Sequence, residues 1–402
     1  MTTSSRPLAG LKVLDFGHTI MGPCAGVVFA DLGADVVKIE PADGDPTRRL
    51  PGFAAGFFAT YNRNKRSIAI DLQTAAGRAV FYRLARDADV VVENFRADVK
   101  HRLKVDYETL RAINPRIVYG SLSGFGQDGP YGRRPGVDQI AQGMGGLMSV
   151  TGPPGGGFWR VGIPIADLTS GMFLAHGVMA ALIEREQSGQ GQWVQTSLLE
   201  AMIAMLDFQA TRWLIGGEVP PQAGNDHPTG FPTGVFPAKD GVVNVAASGG
   251  RMLRDFFKVV GAEELIDDER FGTSQGRARH RAELRAGVEE KMRQMTCAEL
   301  IEKLTAVGVP CGPILTIDQT FADPQVEHLG MAQTVQSEQY GPLRLVRSPT
   351  RLSRTSTSLR RAAPTPGGDT EAVLRELGYS VEEIAGLQRD RVVGMTPAVA
   401  ST

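Results

Sequence analysis

Apolar residues in the first third of the chain recur with two alternating periods. Leu11 to Phe16, Asp35 to Glu40, Ser67 to Leu72, Asp89 to Asn94 and Arg116 to Ser121 are short runs bounded by turn residues, with the apolar content of strands buried on both faces. Between them Pro23 to Leu32, opened by Gly22-Pro23, then Thr74 to Ala85 and Tyr107 to Ile113 carry the wider spacing of helices. Alternation of this kind predicts a parallel sheet covered by helices on both faces. A long helical pattern from Leu168 to Arg185 closes at Ser188-Gly189-Gln190-Gly191, and a strand, Trp193 to Thr196, and a helix, Leu198 to Leu214, follow.

The pattern then changes. Residues 216–232 are dense in Gly and Pro, as a connection between domains would be. Gly234 to Pro237 and Val242 to Ala247 flank Lys239-Asp240-Gly241 and read as a hairpin, with helices near Arg251 to Val260, Arg279 to Gln294 and Cys297 to Val307. A second crossing is expected from about Pro324 to Pro349, and two short helices, Thr370 to Leu377 and Val381 to Leu387, near the end. The fold class is therefore α/β, a large parallel-sheet, Rossmann-like domain with a smaller α+β domain. The expected division is 1–215 for the first part of the large domain, 216–233 as linker, 234–323 for the small domain, 324–349 as return linker, and 350–402 for the rest of the large domain.

At 402 residues the chain is long enough for two or three domains. Lys and Arg together number 43 against 44 Asp and Glu, a balance that gives no electrostatic pull toward nucleic acid or a membrane surface. A small-molecule partner is expected instead. The three cysteines, Cys24, Cys297 and Cys311, are too widely spaced for a disulfide framework or a zinc cluster and fit a reducing cytoplasm. No apolar signal core opens the chain, and no window reaches the roughly 20 uninterrupted apolar residues of a spanning helix. A cytoplasmic enzyme with no metal is the expectation.

One acid stands out. Asp167, in Gly162-Ile163-Pro164-Ile165-Ala166-Asp167-Leu168-Thr169-Ser170-Gly171, sits where an extended run gives way to the long helix. Free backbone N–H groups and the helix dipole favour an ionised carboxylate there, and such a carboxylate can attack a carbonyl carbon or simply cap the helix. By contrast Gly124-Phe125-Gly126-Gln127-Asp128-Gly129 matches the dinucleotide fingerprint only formally. Pro130-Tyr131-Gly132-Arg133-Arg134-Pro135 follows where a helix should open, so a ligand-contacting loop or a turn is expected.

Several ordered motifs resemble one family. They are Val13-Leu14-Asp15-Phe16 with Gly22-Pro23, Leu32-Gly33-Ala34-Asp35-Val36-Val37-Lys38-Ile39-Glu40, Asn64-Lys65-Arg66-Ser67, Val92-Glu93-Asn94-Phe95, the Asp167 segment, and Gly308-Val309-Pro310-Cys311-Gly312-Pro313. Together they look like the class III CoA transferases, a group with formyl-CoA transferase, carnitine CoA transferase and the 2-methylacyl-CoA racemases. The resemblance implies an interlocked, ring-like homodimer and coenzyme A and acyl-CoA as substrates, with no tightly bound cofactor. It implies Asp167 as a nucleophile that passes through an aspartyl-acyl anhydride and an aspartyl-CoA thioester on the way to a free carboxylic acid. It implies a coenzyme site that includes His18, Ile20, Asn94, Phe95, Arg102, Leu103 and Val137, with Lys65 and Arg66 as further cations or as ion-paired structural residues, and Gly249 and Gly250 closing over the nucleophile.

Departures from the resemblance matter too. Ile20 replaces the glutamine of formyl-CoA transferase, Val137 its tyrosine, and Pro41 and Gln73 two basic residues that help hold its coenzyme; its run of four glycines shrinks to Ser248-Gly249-Gly250. Val137 also stands where the racemases carry a histidine base, and it cannot move a proton. A racemase and a non-catalytic CoA-binding relative remain the alternatives. Arg48, Arg49, Arg133, Arg134 and Arg160 flank loops expected near the site, and a guanidinium pairs bidentately with a second carboxylate, which favours dicarboxylates such as succinate.

Overall fold

The computed structural model describes residues 6–51, 55–247 and 249–394. The chain divides into two units: Met1–Leu147, Val161–Ala210 and Glu327–Thr402 form the first, Met148–Arg160 and Thr211–Val326 the second. Residues 148–160 thus belong to the second unit, and most of the expected return linker belongs to the first.

The first unit is built on a seven-stranded sheet. Its strands are β1 (Lys12–Asp15), β2 (Asp35–Glu40), β3 (Arg66–Ile70), β4 (Val90–Glu93), β5 (Val118–Ser123), β6 (Trp193–Ser197) and, from the chain's end, β12 (Val393–Gly394). The order is β12-β3-β2-β1-β4-β5-β6. The first six strands pair in parallel, and β12 runs antiparallel along β3. The alternation of neighbours shows how the sheet is covered. Val13, Val36, Val90 and Val92 face helices Met21–Asp31 and Ile165–Ser188 through Phe29, Leu174 and Val178. Leu14, Val37, Ile68 and Val91 face Val80, Phe81, Leu110, Val373 and Ile384 on the other side. Every second residue going to the opposite core is the period of an extended strand.

Helix Ile165–Ser188 is long and apolar enough to cross a membrane by length and composition, with a mean hydropathy of 1.4, and half of that window is buried inside the fold. Its inner stripe, Leu174, Val178, Ala181 and Arg185, follows helical spacing. The stripe ends in an ion pair, Arg185 Nη2 to Asp89 Oδ1 at 2.9 Å. Near its start a methyl group on Gly171 would lie 2.7 Å from the Met21 carbonyl oxygen, so a larger residue would force the two helices apart.

Three departures from the sequence pattern have local causes. The helix expected over Leu198 to Leu214 is two, Leu198–Ala204 and Phe208–Gly216, broken at Asp207 with φ of 49°. The return crossing contains an antiparallel hairpin, β10 (Ala332–Ser337) with β11 (Gly341–Val346), where Gly341 turns at φ of 69°. Helices Ala97–Leu103 and Asp138–Met144 are too short to show a period.

The second unit has a three-stranded antiparallel sheet, β7 (Thr233–Pro237), β8 (Val242–Ala246) and β9 (Cys311–Pro313), of which the first two form the expected hairpin. Helices Gly250–Val260, Arg281–Met292 and Cys297–Ala306 cover it through Phe256, Phe257, Val288 and Leu304.

Candidate active site

Strand order reverses between β1 and β4, and in open α/β sheets that switch point is where ligands bind. The loops leaving these two strands are tied together there. His18 donates its backbone N–H to Asn94 Oδ1 at 2.9 Å, and Asn94 Nδ2 donates to the His18 carbonyl at 3.0 Å. Gly22 lets the pair form: a Cβ at that position would sit 2.8 Å from Asn94 Oδ1. Phe95 stacks on the His18 imidazole with ring centres 6.3 Å apart and tilts against Phe16 at 5.5 Å. Burial lowers the His18 pKa, and the nearby Lys38 adds to this against the pull of Asp45 and Asp15. Its ring is therefore neutral at pH 7.

Two cavities adjoin this tie and share His18 and Phe95 in their walls. The first, about 490 Å³, lies over the ends of β1, β2 and β3, with Glu40, Pro41, Asp71, Gln73 and Leu103 in its lining. The second, about 320 Å³, is bounded by Met21, Asn94, Arg96, Ser123, Gly124 and Arg134. The glycine-rich loop after β5 thus lines a cavity, and no helix opens from it before Asp138.

The Asn94-Phe95 segment is held from below by a buried network. Glu93, at the end of β4, accepts from the Phe95 N–H at 2.7 Å and from Lys100 Nζ at 2.9 Å, and the Ser121 hydroxyl donates to it as well. Lys100 also donates to Gln127 Oε1 at 2.6 Å and lies 4.9 Å over the Trp193 ring. It joins the β4 loop to the glycine loop.

Asp167 is the third residue of helix Ile165–Ser188, one turn before Gly171 and its contact with Met21. Met21 lines the second cavity, and Asp167 itself lies outside the lining of both cavities. The helix start is already capped by another acid. Asp138 Oδ1 accepts the Ala166 N–H at 2.9 Å while its Oδ2 receives Gln142 Nε2 at 2.7 Å. Asp167 is left half-buried with no hydrogen-bond or ion-pair partner for its carboxylate among the described residues. Burial first, and the Asp138 charge second, raise its pKa to about 7. The expectation of a carboxylate kept ionised by the helix terminus is thus corrected: desolvation and a like charge outweigh the dipole.

A model of CoA-transferase family III matches residues 8–370. The chain belongs to that family. It is 37% identical over 388 residues to the succinate–glutarate CoA-transferase of Agrobacterium fabrum, covering 94% of this chain and 97% of that protein. It is 32% identical over 377 residues to the succinyl-CoA:glutarate CoA-transferase of Homo sapiens, covering 92% and 86%. Among solved structures, a CAIB/BAIF family protein from Brucella suis aligns with a TM-score of 0.80 at 37% identity, covering 92% of this chain and 99% of that one.

This CoA-transferase gathers His18, Asn94, Phe95 and Leu103 at the cavities. Ile20 is buried just before helix Met21–Asp31. Val137, 60% exposed, precedes helix Asp138–Met144. Arg102 does not line either cavity; it lies exposed in the last turn of its helix while its neighbour Leu103 points inward. Gly249 and Gly250 open helix Gly250–Val260 of the second unit at φ of 106° and 56°, a backbone that glycine adopts freely.

Several expected cations are structural. Lys65 is fully buried against Asp15 at 2.6 Å, and burial lowers its pKa to about 8. Arg66 pairs with Asp35 and Glu376. Arg48 is clamped by Glu40 and stacks 3.7 Å over Phe58, and Arg49 pairs with Asp43 at 3.3 Å. Arg134 stays in the second cavity, stacked 3.8 Å over Tyr131. Sequence reasoning missed Arg96, Lys100 and Asp138. Their adjacency to Phe95 and Val137 was the available signal.

Proposed function

We propose that this enzyme moves CoA between dicarboxylic acids through covalent intermediates on Asp167. The observation that carries the reading is the unpartnered, half-buried Asp167 carboxylate in the first turn of helix Ile165–Ser188, with a pKa raised to about 7. Such a group is half ionised at neutral pH and more basic, hence a better nucleophile, than an ordinary aspartate. The donor's adenosine lies in the first cavity, its diphosphate beside Arg96 and Arg134 in the second, and its thioester reaches past Met21 to Asp167. Asn94, His18, Phe95, Ile20, Leu103 and Val137 shape this path.

In the first step an Asp167 oxygen attacks the thioester carbonyl and CoA thiolate leaves, giving a mixed anhydride. The thiolate then attacks Cγ of Asp167, releasing the donor acid as carboxylate and leaving an aspartyl-CoA thioester. The acceptor carboxylate attacks Cγ in turn and expels the thiolate, which finally attacks the acceptor's acyl carbon. Asp167 is restored as a carboxylate, and no tightly bound cofactor is needed.

The choice of dicarboxylates is supported by the names of the two relatives, both of which pair succinate or succinyl-CoA with glutarate. A homodimer is supported by the outer face of helix Ile165–Ser188, where Met172, Phe173 and Ile183 remain exposed in the single chain. Light scattering should then give twice the chain mass. The three free thiols accord with a cytoplasmic setting.

The test is mass spectrometry after incubation with succinyl-CoA and hydroxylamine or borohydride trapping. Modification mapped to Asp167, and absent from Asp167→Ala, is expected. Turnover with no adduct at Asp167 would sink the covalent reading. Exchange of the hydrogen at the 2-position of a methylacyl-CoA, without any acceptor acid, would favour a racemase.

A further inference from the structure

The two cavities differ in the charged groups that line them. The second has Arg96 and Arg134 in its lining and no carboxylate. The first is lined by four carboxylates, Glu40, Asp43, Asp45 and Asp71, and by a single Lys or Arg, Lys38. That lysine is buried and already held, 2.9 Å from Asp45 Oδ2 and 2.5 Å from the Gly17 carbonyl. At the mouth, where β2 and β3 end, Pro41 and Gln73 bring no charge. The guanidiniums close by are engaged too, Arg48 by Glu40 and the Pro364 carbonyl, Arg49 by Asp43.

Phosphate is recognised in proteins by available cations and free N–H groups. A cavity with four carboxylates and its one lysine committed offers no available Lys or Arg. In nucleotide folds an acid after the second strand accepts a ribose hydroxyl, whereas an arginine there accommodates a ribose phosphate. Asp43, just beyond β2, is such an acid, and the arginine beside it, Arg49, is paired with it at 3.3 Å.

Resting on the dicarboxylate CoA-transferase reading above, we infer that this enzyme recognises CoA through its diphosphate and nucleoside and does not select for the 3′-phosphate. Thioesters of 3′-dephospho-CoA are then substrates of nearly equal quality. The 3′-phosphate stays in water at the mouth of the first cavity, and the binding contribution of phosphate is concentrated at Arg96 and Arg134.

The experiment compares kcat/KM for succinyl-CoA and 3′-dephospho-succinyl-CoA with one acceptor acid at low ionic strength. The expected ratio is within about threefold, and a preference above about tenfold for the phosphorylated donor overturns the inference. Gln73→Lys and Pro41→Arg restore a cation at the mouth. Each is expected to raise the preference for the phosphorylated donor several-fold, mainly through KM, and an unchanged ratio in both would show that the 3′ position lies elsewhere. A wild-type preference above tenfold that Arg102→Ala abolishes would assign phosphate recognition to Arg102, against the inference. If succinyl-CoA itself is not turned over, the transferase reading fails instead, so the two failures are distinguishable.

Discussion

Two carboxylates of the first unit, Glu93 and Asp167, are both pushed toward the neutral form by burial, yet their surroundings differ completely. Glu93 is met by Lys100, the Ser121 hydroxyl and the Phe95 N–H, all of which favour its charge. Asp167 has no such partner, and the one charge acting on it is a second carboxylate, Asp138. A satisfied buried acid is scaffolding, because its charge is already used. An unsatisfied one is poised for chemistry, and the fold bears a cost in stability to keep it so.

The sharpest way to break this comparison is to neutralise each acid. Asp167→Asn is expected to lower turnover by about 10⁴-fold or more, since the amide is not a nucleophile. Its thermal stability should be unchanged or higher. Glu93→Gln should instead destabilise by roughly 3–5 kcal/mol, because Lys100 is left buried without its counter-charge. Thermal melts that ranked the two variants the other way would overturn the distinction.

The pH dependence gives a finer test. Turnover needs the Asp167 carboxylate, so kcat/KM should rise with pH through about 7. Asp138→Asn keeps an acceptor for the Ala166 N–H but removes the neighbouring charge, and the rise should move to lower pH. A profile that does not move would mean that Asp138 contributes nothing to the raised value.

The smallest expected effect is on stability. The folded-state pKa of Asp167 lies above its unfolded value, so folding takes up a proton between the two, and stability falls as pH climbs from about 4 to about 7. Asp167→Asn escapes this penalty. Its advantage over wild type, about 1–3 kcal/mol after allowance for solvent screening, should appear at pH 8 and vanish near pH 4. An advantage constant across that range would point to packing rather than to ionisation.

How far the sequence revealed this arrangement depended on the scale of the signal. The parallel sheet was legible because strands such as Val90-Val91-Val92 are continuous apolar runs and helix Ala75–Arg86 keeps a clean helical stripe. Helix Ala97–Leu103 was not, being seven residues of mixed polarity that a period cannot mark. Asp167 was legible as a residue, but its protonation was not. That depends on Asp138, 29 positions away in sequence, which takes the Ala166 N–H and adds a like charge. For Lys65 the sequence left a coenzyme contact and a structural ion pair open, and the structure shows the second, with Asp15 across 50 positions.

The edge strand β12 has a consequence for how the protein is made. Val393–Gly394 pairs with β3, and on the way there Asp369 and Thr370 accept the backbone N–H groups of Ser67 and Ala69. The outer edge of β3 is therefore closed by residues some 320 positions later. On the ribosome β3 must wait, with its edge groups open, until residue 394 has emerged. Synthesis in vivo thus exposes a pairing edge while some 320 further residues are made, and early termination before Asp369 yields a chain that chaperones should retain rather than release.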